Sequence, residues 1–207
     1  MIIDFHTHRP TAEGVITPRS FGIHPWFVDE VHADSFEEFV VCYKDRFDDA
    51  EIIGECGLDK VRGVSWDRQL QLFTWQLRIA EQDRKTIVIH CVQSFNELME
   101  IRKDYHKTTW VVHGFTGSAE LRSQLLRQGI WVSYGAALLN PKRVKVRESL
   151  KSSYEAFLLE TDDSGEDIKD IYNVAATITG QNLNDIEDTI KRNYQSLIIN
   201  DELKIEN

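Results

Sequence analysis

Five short apolar runs in this chain each lead into a histidine or a carboxylate. Ile2-Ile3-Asp4-Phe5 opens onto His6-Thr7-His8, and Ile52-Ile53-Gly54 onto Glu55. Ile87-Val88-Ile89 stops at His90, Val111-Val112 at His113, and Phe157-Leu158-Leu159-Glu160-Thr161 at Asp162. Runs of this length and β-branched character read as strands buried on both faces, as in parallel sheets. In a parallel β/α barrel the functional groups sit where the strands end and the loops leave. Four histidines and two carboxylates in such places can converge on one point. A carboxylate buried without a partner costs several kcal/mol, so carboxylates among histidines make physical sense when a cation neutralises them.

His6 and His8 are two apart, so on a strand both imidazoles face one side and can chelate one ion. One such pair does not define a metal site; six donors, each group closing its own apolar run, do. Four imidazoles favour Zn²⁺, Mn²⁺ or Fe²⁺ over Mg²⁺ on ligand softness. Asp4 shares the face of His6 and His8, and the expectation for it is support of the ligands.

At 207 residues, 42% hydrophobic and 28% charged, the chain suits one globular domain spanning 1–207. No stretch approaches the roughly 20 apolar residues of a membrane helix. The first strand starts at Ile2, ahead of which a cleavable signal has no room, and the expected location is cytoplasmic. A net charge of −10 argues against coating nucleic acid by bulk electrostatics. It does not exclude a nucleic-acid substrate, because divalent cations invert the field of a pocket. Cys42, Cys56 and Cys91 offer no disulfide framework. Alternation turns Cys56 and Cys91 away from Glu55 and His90, as small buried hydrophobes.

Strand-like and helix-like segments alternate, the signature of an α/β chain. Strands are expected near 2–6, 20–24, 51–55, 86–90, 109–113, 130–134 and 156–161. Helices are expected over Ser65–Arg84, over Ser94–Tyr105 and Ser118–Arg127, the latter two each opened by a serine cap, and over Ile168–Ile178 and Leu183–Leu197. A closed barrel has eight strands, and these are seven. The missing unit falls in residues 9–23, where Pro10, Gly14 and Pro18 disfavour a helical crossover and Val15-Ile16 leaves room for a strand remnant. The fold class is therefore a TIM-like parallel β/α barrel, reduced or distorted in that corner.

The motifs HTH at 6–8, GIHP at 22–25, IGECGLD at 53–59, QLRIA at 76–80, IHC at 89–91, HGFTG at 113–117 and LLETD at 158–162 occur in the order and approximate spacing of the TatD-type metal-dependent hydrolases. The chain resembles that family nearly end to end, with Asn193 and Leu197 fitting its closing helix. The resemblance implies a barrel metallohydrolase with two divalent ions (Zn, Mn or Mg). It makes His6, His8 and Asp162 ligands of one ion and His90 and His113 ligands of the second, with Glu55 bridging. It implies a phosphodiesterase, with members that are deoxyribonucleases trimming single strands from the 3′ end. Paired cations activate a water and clamp the oxygens of an in-line displacement. Asp162 is the candidate to orient or deprotonate that water, and Glu55 is counted with it as catalytic.

For substrate binding the candidates are His24, near the phosphate or bracing its loop, and Lys60 and Arg62, which follow the Glu55 strand. Phe115 and Trp26 are candidates for base stacking or for packing their loops. Asp59 caps the next segment or touches substrate. The basic run Lys142–Arg147 reads as a solvated helix face.

Two departures from the family stand out. Segment 9–23 is short, and Asp162 is followed by the acidic Asp163-Ser164-Gly165-Glu166-Asp167 where the family continues through a proline and an extended loop. An acidic rim repels phosphates. The expected partner is single-stranded DNA or a small phosphodiester, with no membrane and no obligate protein partner. The alternative keeps the metals and changes the bond, to an ester or amide on a small or acyl-tRNA substrate, since the same activated water attacks a carbonyl. A non-catalytic binding protein would have no need of the six ligand residues.

Overall fold

The computed structural model describes residues 1–152 and 156–198. In chain order the strands are β1 (Ile2–Ile3), β2 (Val15–Ile16), β3 (Ser20–Phe21), β4 (Ile52–Asp59), β5 (Ile87–Val92), β6 (Trp110–Val112), β7 (Ile130–Tyr134) and β8 (Phe157–Leu159). The helices are α1 (Phe36–Asp49), α2 (Trp66–Gln82), α3 (Phe95–Ile101), α4 (Ala119–Arg127), α5 (Val144–Lys151), α6 (Ile168–Thr179) and α7 (Leu183–Ile198). Two compact units emerge: Met1–Pro18 with the chain from Val112 onward, and Arg19–Val111.

In the Arg19–Val111 unit β3 pairs with β4 and β4 with β5, both parallel. Ile87 N–H donates to Thr109 O, the step from β5 toward β6. Ile52, Ile53, Cys56 and Leu58 of β4 and Ile87, Val88 and Ile89 of β5 are fully buried. Each of the aliphatic side chains among them contributes about 1.5–3 kcal/mol on burial. Helix α2 is capped by Ser65, whose side chain accepts from Arg68 N–H. It buries Leu72, Phe73, Leu77 and Ala80. Ser94 occupies its expected position before α3, yet its hydroxyl donates to Leu58 O at 3.0 Å and makes no cap bond. Helix α1, absent from the sequence reading, is capped by Ser35 and packs Phe39 and Phe47 inward.

In the other unit β1 and β2 are a parallel pair, with Ile2 opposite Val15 and Ile3 opposite Ile16. The strand remnant expected at Val15-Ile16 thus forms, two residues long. Phe5 N–H donates to Leu159 O and Asp162 N–H to His6 O, so the segment after β1 is laced to the end of β8. Strands β7 and β8 are parallel as well. Tyr172 of α6 grips Ile3 from both sides, its hydroxyl accepting from Ile3 N–H (3.1 Å) and donating to Ile3 O (2.9 Å). Asn193 of α7 donates to Phe157 O at 2.8 Å. Gly180 ends α6 with φ 72°, a left-handed cap that glycine adopts without steric penalty.

Expectations of strand length are corrected in both directions: β1, expected over 2–6, ends at Ile3, so His6 lies past it, β3, expected over 20–24, ends at Phe21, and β8, expected over 156–161, ends at Leu159. Two strands run longer than expected. β4 continues four residues past Glu55 and β5 two past His90. Glu55 is therefore inside a strand whose register shifts between Ile53 and Cys56, and the pairing resumes with Gly57 opposite His90. That pairing needs glycine: Gly57 has φ 143°, and a Cβ there would lie 2.1 Å from His90 O.

Candidate metal centre

In the unit that holds both termini, Asp4 fixes the segment carrying Asp162. Its Oδ1 accepts from Thr161 N–H (2.8 Å) and its Oδ2 from the Thr161 hydroxyl (2.6 Å). Burial pushes the Asp4 carboxyl up to about 6, against the lowering effect of the Thr161 bonds. His8 N–H donates to Asp162 O at 3.1 Å, so the backbone of 6–8 and that of 162 are zipped together. Asp162 itself has φ 54°.

The side chains then converge. His6 Nε2 lies 3.9 Å and His8 Nε2 3.5 Å from Asp162 Oδ1. The two rings meet edge to face at 4.9 Å, and the His113 ring lies 4.8 Å from that of His6. His6 is buried, whereas the His8 side chain is 52% exposed. Separations of 3.5–3.9 Å are at or beyond the limit of a hydrogen bond. They suit donors sharing one ion: with metal–ligand bonds near 2.1 Å, tetrahedral donors stand about 3.4 Å apart. The residues fit a divalent cation, which they would hold through two neutral imidazoles and one carboxylate.

Behind His113 stands Glu160, a carboxylate the sequence reading passed over. It is fully buried, accepts from Gly114 N–H at 2.5 Å and from the Ser133 hydroxyl, and its Oε1 lies 3.5 Å from His113 Nδ1. Burial opposes its ionisation, yet His113, His6 and the Ser133 hydroxyl together hold its carboxyl below the usual range. The available signal was a carboxylate inside an apolar run, which burial leaves in need of a partner.

In the Arg19–Val111 unit, His24, Glu55 and His90 form a second group whose donor atoms lie within 4.8 Å of one another. Glu55 Oε1 is 2.8 Å from His90 Nδ1 and 2.9 Å from His24 Nε2. His24 Nδ1 accepts from Trp26 N–H at 3.1 Å, which leaves Nε2 as the protonated nitrogen of a neutral ring, donating toward Glu55. His90 spans two carboxylates, its Nε2 lying 3.2 Å from Asp59 Oδ2. Metal-binding histidines commonly place their second nitrogen on a carboxylate in this way. Asp59 Oδ2 also accepts from the Trp26 indole (2.7 Å), and Oδ1 from Val61 N–H (2.8 Å) and Arg62 N–H (3.3 Å). These bonds outweigh burial and keep the Asp59 carboxyl below its ordinary range. Asp59 thus caps the turn after β4 and steadies His90.

Helix α2 sets this group in place with two glutamines seven residues apart on one face. Gln69 accepts from Asp59 N–H (2.8 Å) and donates to Asp59 O (3.1 Å). Gln76 does the same for Ile23, at 2.6 and 3.2 Å, and so holds the residue before His24.

The remaining candidates divide. Lys60 is ion-paired to Glu97 at 2.5 Å rather than presented to a phosphate. The Arg62 guanidinium lies 3.8 Å from the centroid of the Trp26 ring. Phe115, expected at the rim as a stacking group, is a correction: it is 2% exposed and packs edge to face on Tyr134, so it serves the core. Cys56 is buried with its thiol pushed well up by burial, in keeping with an inert hydrophobe. The run Lys142–Arg147 leads into α5, as a helix face. Among the described residues no helix is long and apolar enough to cross a membrane.

A family model described as TatD related DNase matches residues 12–198. The uncharacterized metal-dependent hydrolase YjjV of Escherichia coli K12 is 28% identical over 147 residues, which are 69% of this chain and 56% of that protein. The 3′-5′ ssDNA/RNA exonuclease TatD of Citrobacter koseri is 29% identical over 146 residues, 68% of this chain and 55% of its own length. The chain spans about half the length of the curated relatives it matches. The crystal structure of YjjV superposes with a TM-score of 0.76 at 21% identity, over 91% of this chain and 78% of that one, and shows a shared fold.

Proposed function

The chain belongs to the TatD related DNase family of metal-dependent hydrolases, and we propose that it is a divalent-metal-dependent phosphodiesterase acting on the ends of single-stranded nucleic acid. The observation that carries the reading is the spacing of His6 Nε2 and His8 Nε2 about Asp162 Oδ1, at 3.9 and 3.5 Å. The exonuclease named among its relatives supports the substrate class. His6, His8 and Asp162 are the ligands of one ion in this reading, and His24, Glu55 and His90 form a separate donor group. Bound divalent cations supply Lewis acidity, lowering the pKa of water and neutralising phosphate oxygens.

The protein's own groups have the following roles. Asp4, through Thr161, fixes the backbone from which Asp162 projects. Glu160 orients the His113 ring, and Asp59 orients that of His90. His24, with Nδ1 taken by Trp26 N–H, directs its Nε2–H at Glu55 and so orients that carboxylate. Asp162, partly exposed beside His8, is the candidate to take a proton from an attacking water.

The test is end-labelled single-stranded DNA with Mn²⁺ or Mg²⁺, beside a Glu55→Ala control. A ladder shortening from the 3′ end, abolished by EDTA and by the substitution, is the expected result. A folded, metal-loaded protein that leaves DNA intact but cleaves carboxylic esters or acyl-tRNA would overturn the reading. The acidic segment after Asp162, Asp163 to Asp167, is the feature that favours this second reading.

A further inference from the structure

We infer that Trp26, Phe27 and Val61 form a stacking surface for a nucleobase beside the His24–Glu55–His90 group. The inference rests on the nucleic-acid reading above and names a binding feature of that site.

Phe27 is 52%, Trp26 38% and Val61 63% exposed, an unusual concentration of large apolar side chains at a surface. One carboxylate ties two of them together: Asp59 accepts from the Trp26 indole on Oδ2 and from Val61 N–H on Oδ1. Ring contacts carry the surface to the site. The Phe27 ring lies 5.9 Å from that of His24, and Trp26 meets His24 at 4.7 Å and His90 at 5.7 Å, the latter two edge to face.

Charge selects the occupant. In a chain of net charge −10, Arg62 lies over Trp26 and forms no ion pair among the described residues. An exposed aromatic surface with an unpaired guanidinium stacked over one of its rings matches a base joined to a phosphate. It does not match a neutral apolar ligand. Stacking on aromatic rings is tolerant of sequence, because every base has a π-face. Phe115, the aromatic that its motif brought forward, is buried, so the exposed pair at 26–27 takes the stacking role instead.

The experiment compares binding of fluorescein-labelled hexathymidylate with a hexamer of abasic sugars carrying the same phosphates, using the full chain in EDTA so that hydrolysis does not intervene. The unaltered protein should bind the base-bearing strand about tenfold more tightly, and Phe27→Ala should erase that preference. Phe27→Tyr should restore it. Val41→Ala, which removes an exposed side chain on α1, should leave it unchanged. Equal affinity for the two strands, or no binding of either, overturns the inference. So does a Phe27→Ala protein that keeps the preference but loses solution mass, which would assign the surface to contact between copies. Mn²⁺-dependent hydrolysis of bis(4-nitrophenyl) phosphate by the unaltered protein is read in parallel. Hydrolysis without base preference sinks this inference alone, whereas base preference without hydrolysis sinks the phosphodiesterase reading and leaves the stacking surface standing.

Discussion

Gln69 holds both backbone polar groups of Asp59, its side-chain oxygen 2.8 Å from Asp59 N and its nitrogen 3.1 Å from Asp59 O. The glutamine is 1% exposed and the aspartate 3%, so neither backbone group has water to fall back on. Gln69→Ala leaves two buried groups unsatisfied and is expected to cost about 2–4 kcal/mol in urea unfolding. Gln69→Leu, similar in volume, should cost as much. A loss below about 1 kcal/mol in both variants would mean that the turn after β4 repairs itself without α2.

Asp4 gives the metal-free protein a pH dependence whose sign is fixed. Its carboxyl is raised from 3.8 to about 6 in the folded state. Between those values the folded chain holds a proton the unfolded chain has released. Stability from this group is full below pH 4 and falls as pH rises through 6, by up to about 3 kcal/mol. Urea unfolding of the EDTA-treated protein from pH 4 to 7 should show that fall, and Asp4→Asn should flatten it. An unchanged slope in the variant would assign the dependence to other groups.

Much of this arrangement was legible in the chain because period and punctuation agree. The runs at 52–54, 87–89 and 157–159 read as strands, since β-branched and leucine-rich stretches with no polar alternation have no solvent face. Ser118 reads as a cap, and its hydroxyl accepts from Leu121 N–H. Three features were hidden for physical reasons. Helix α1 carries two buried phenylalanines amid charge, so its apolar stripe is thin, although Ser35 and Glu38 mark its start: Ser35 accepts from Glu38 N–H, and Glu38 accepts from Asp34 N–H. Glu55 and His90 looked like strand ends because the apolar run stops there, but pairing continues through Gly57, whose backbone can approach His90. Glu160 sat inside an apolar run, and its partners Gly114 and Ser133 come from distant segments that no local pattern joins to it.

Glu160→Gln tests whether that carboxylate acts through His113. Glutamine keeps the shape and an acceptor for Gly114 N–H but removes the charge near His113 Nδ1. Metal affinity measured by calorimetry should fall about 10–100-fold, the range typical of partners behind metal-binding histidines. Ser133→Ala, which removes one hydroxyl donor from the same carboxylate, should fall less. Unaltered affinity in Glu160→Gln would reduce the residue to a structural buried acid.

Metal addition to chelator-stripped protein provides the most direct test of the donor set, and His8 is the residue to vary. His6 is too deeply buried to remove cleanly, whereas the His8 side chain is half exposed and its loss leaves the core untouched. A ligand that binds only the folded chain stabilises it by about 2.7 kcal/mol at one hundred times its dissociation constant. For a chain of this size that corresponds to roughly 5–10 °C in Tm. Mn²⁺ or Zn²⁺ should produce such a shift in the unaltered protein and a much smaller one in His8→Ala, with the metal-free melting points of the two close together. Equal shifts in both would take His8 out of the donor set, because a ligand whose loss costs no linkage energy is not a ligand. No shift in either would remove the basis for reading the 3.5 and 3.9 Å spacings about Asp162 as room for an ion.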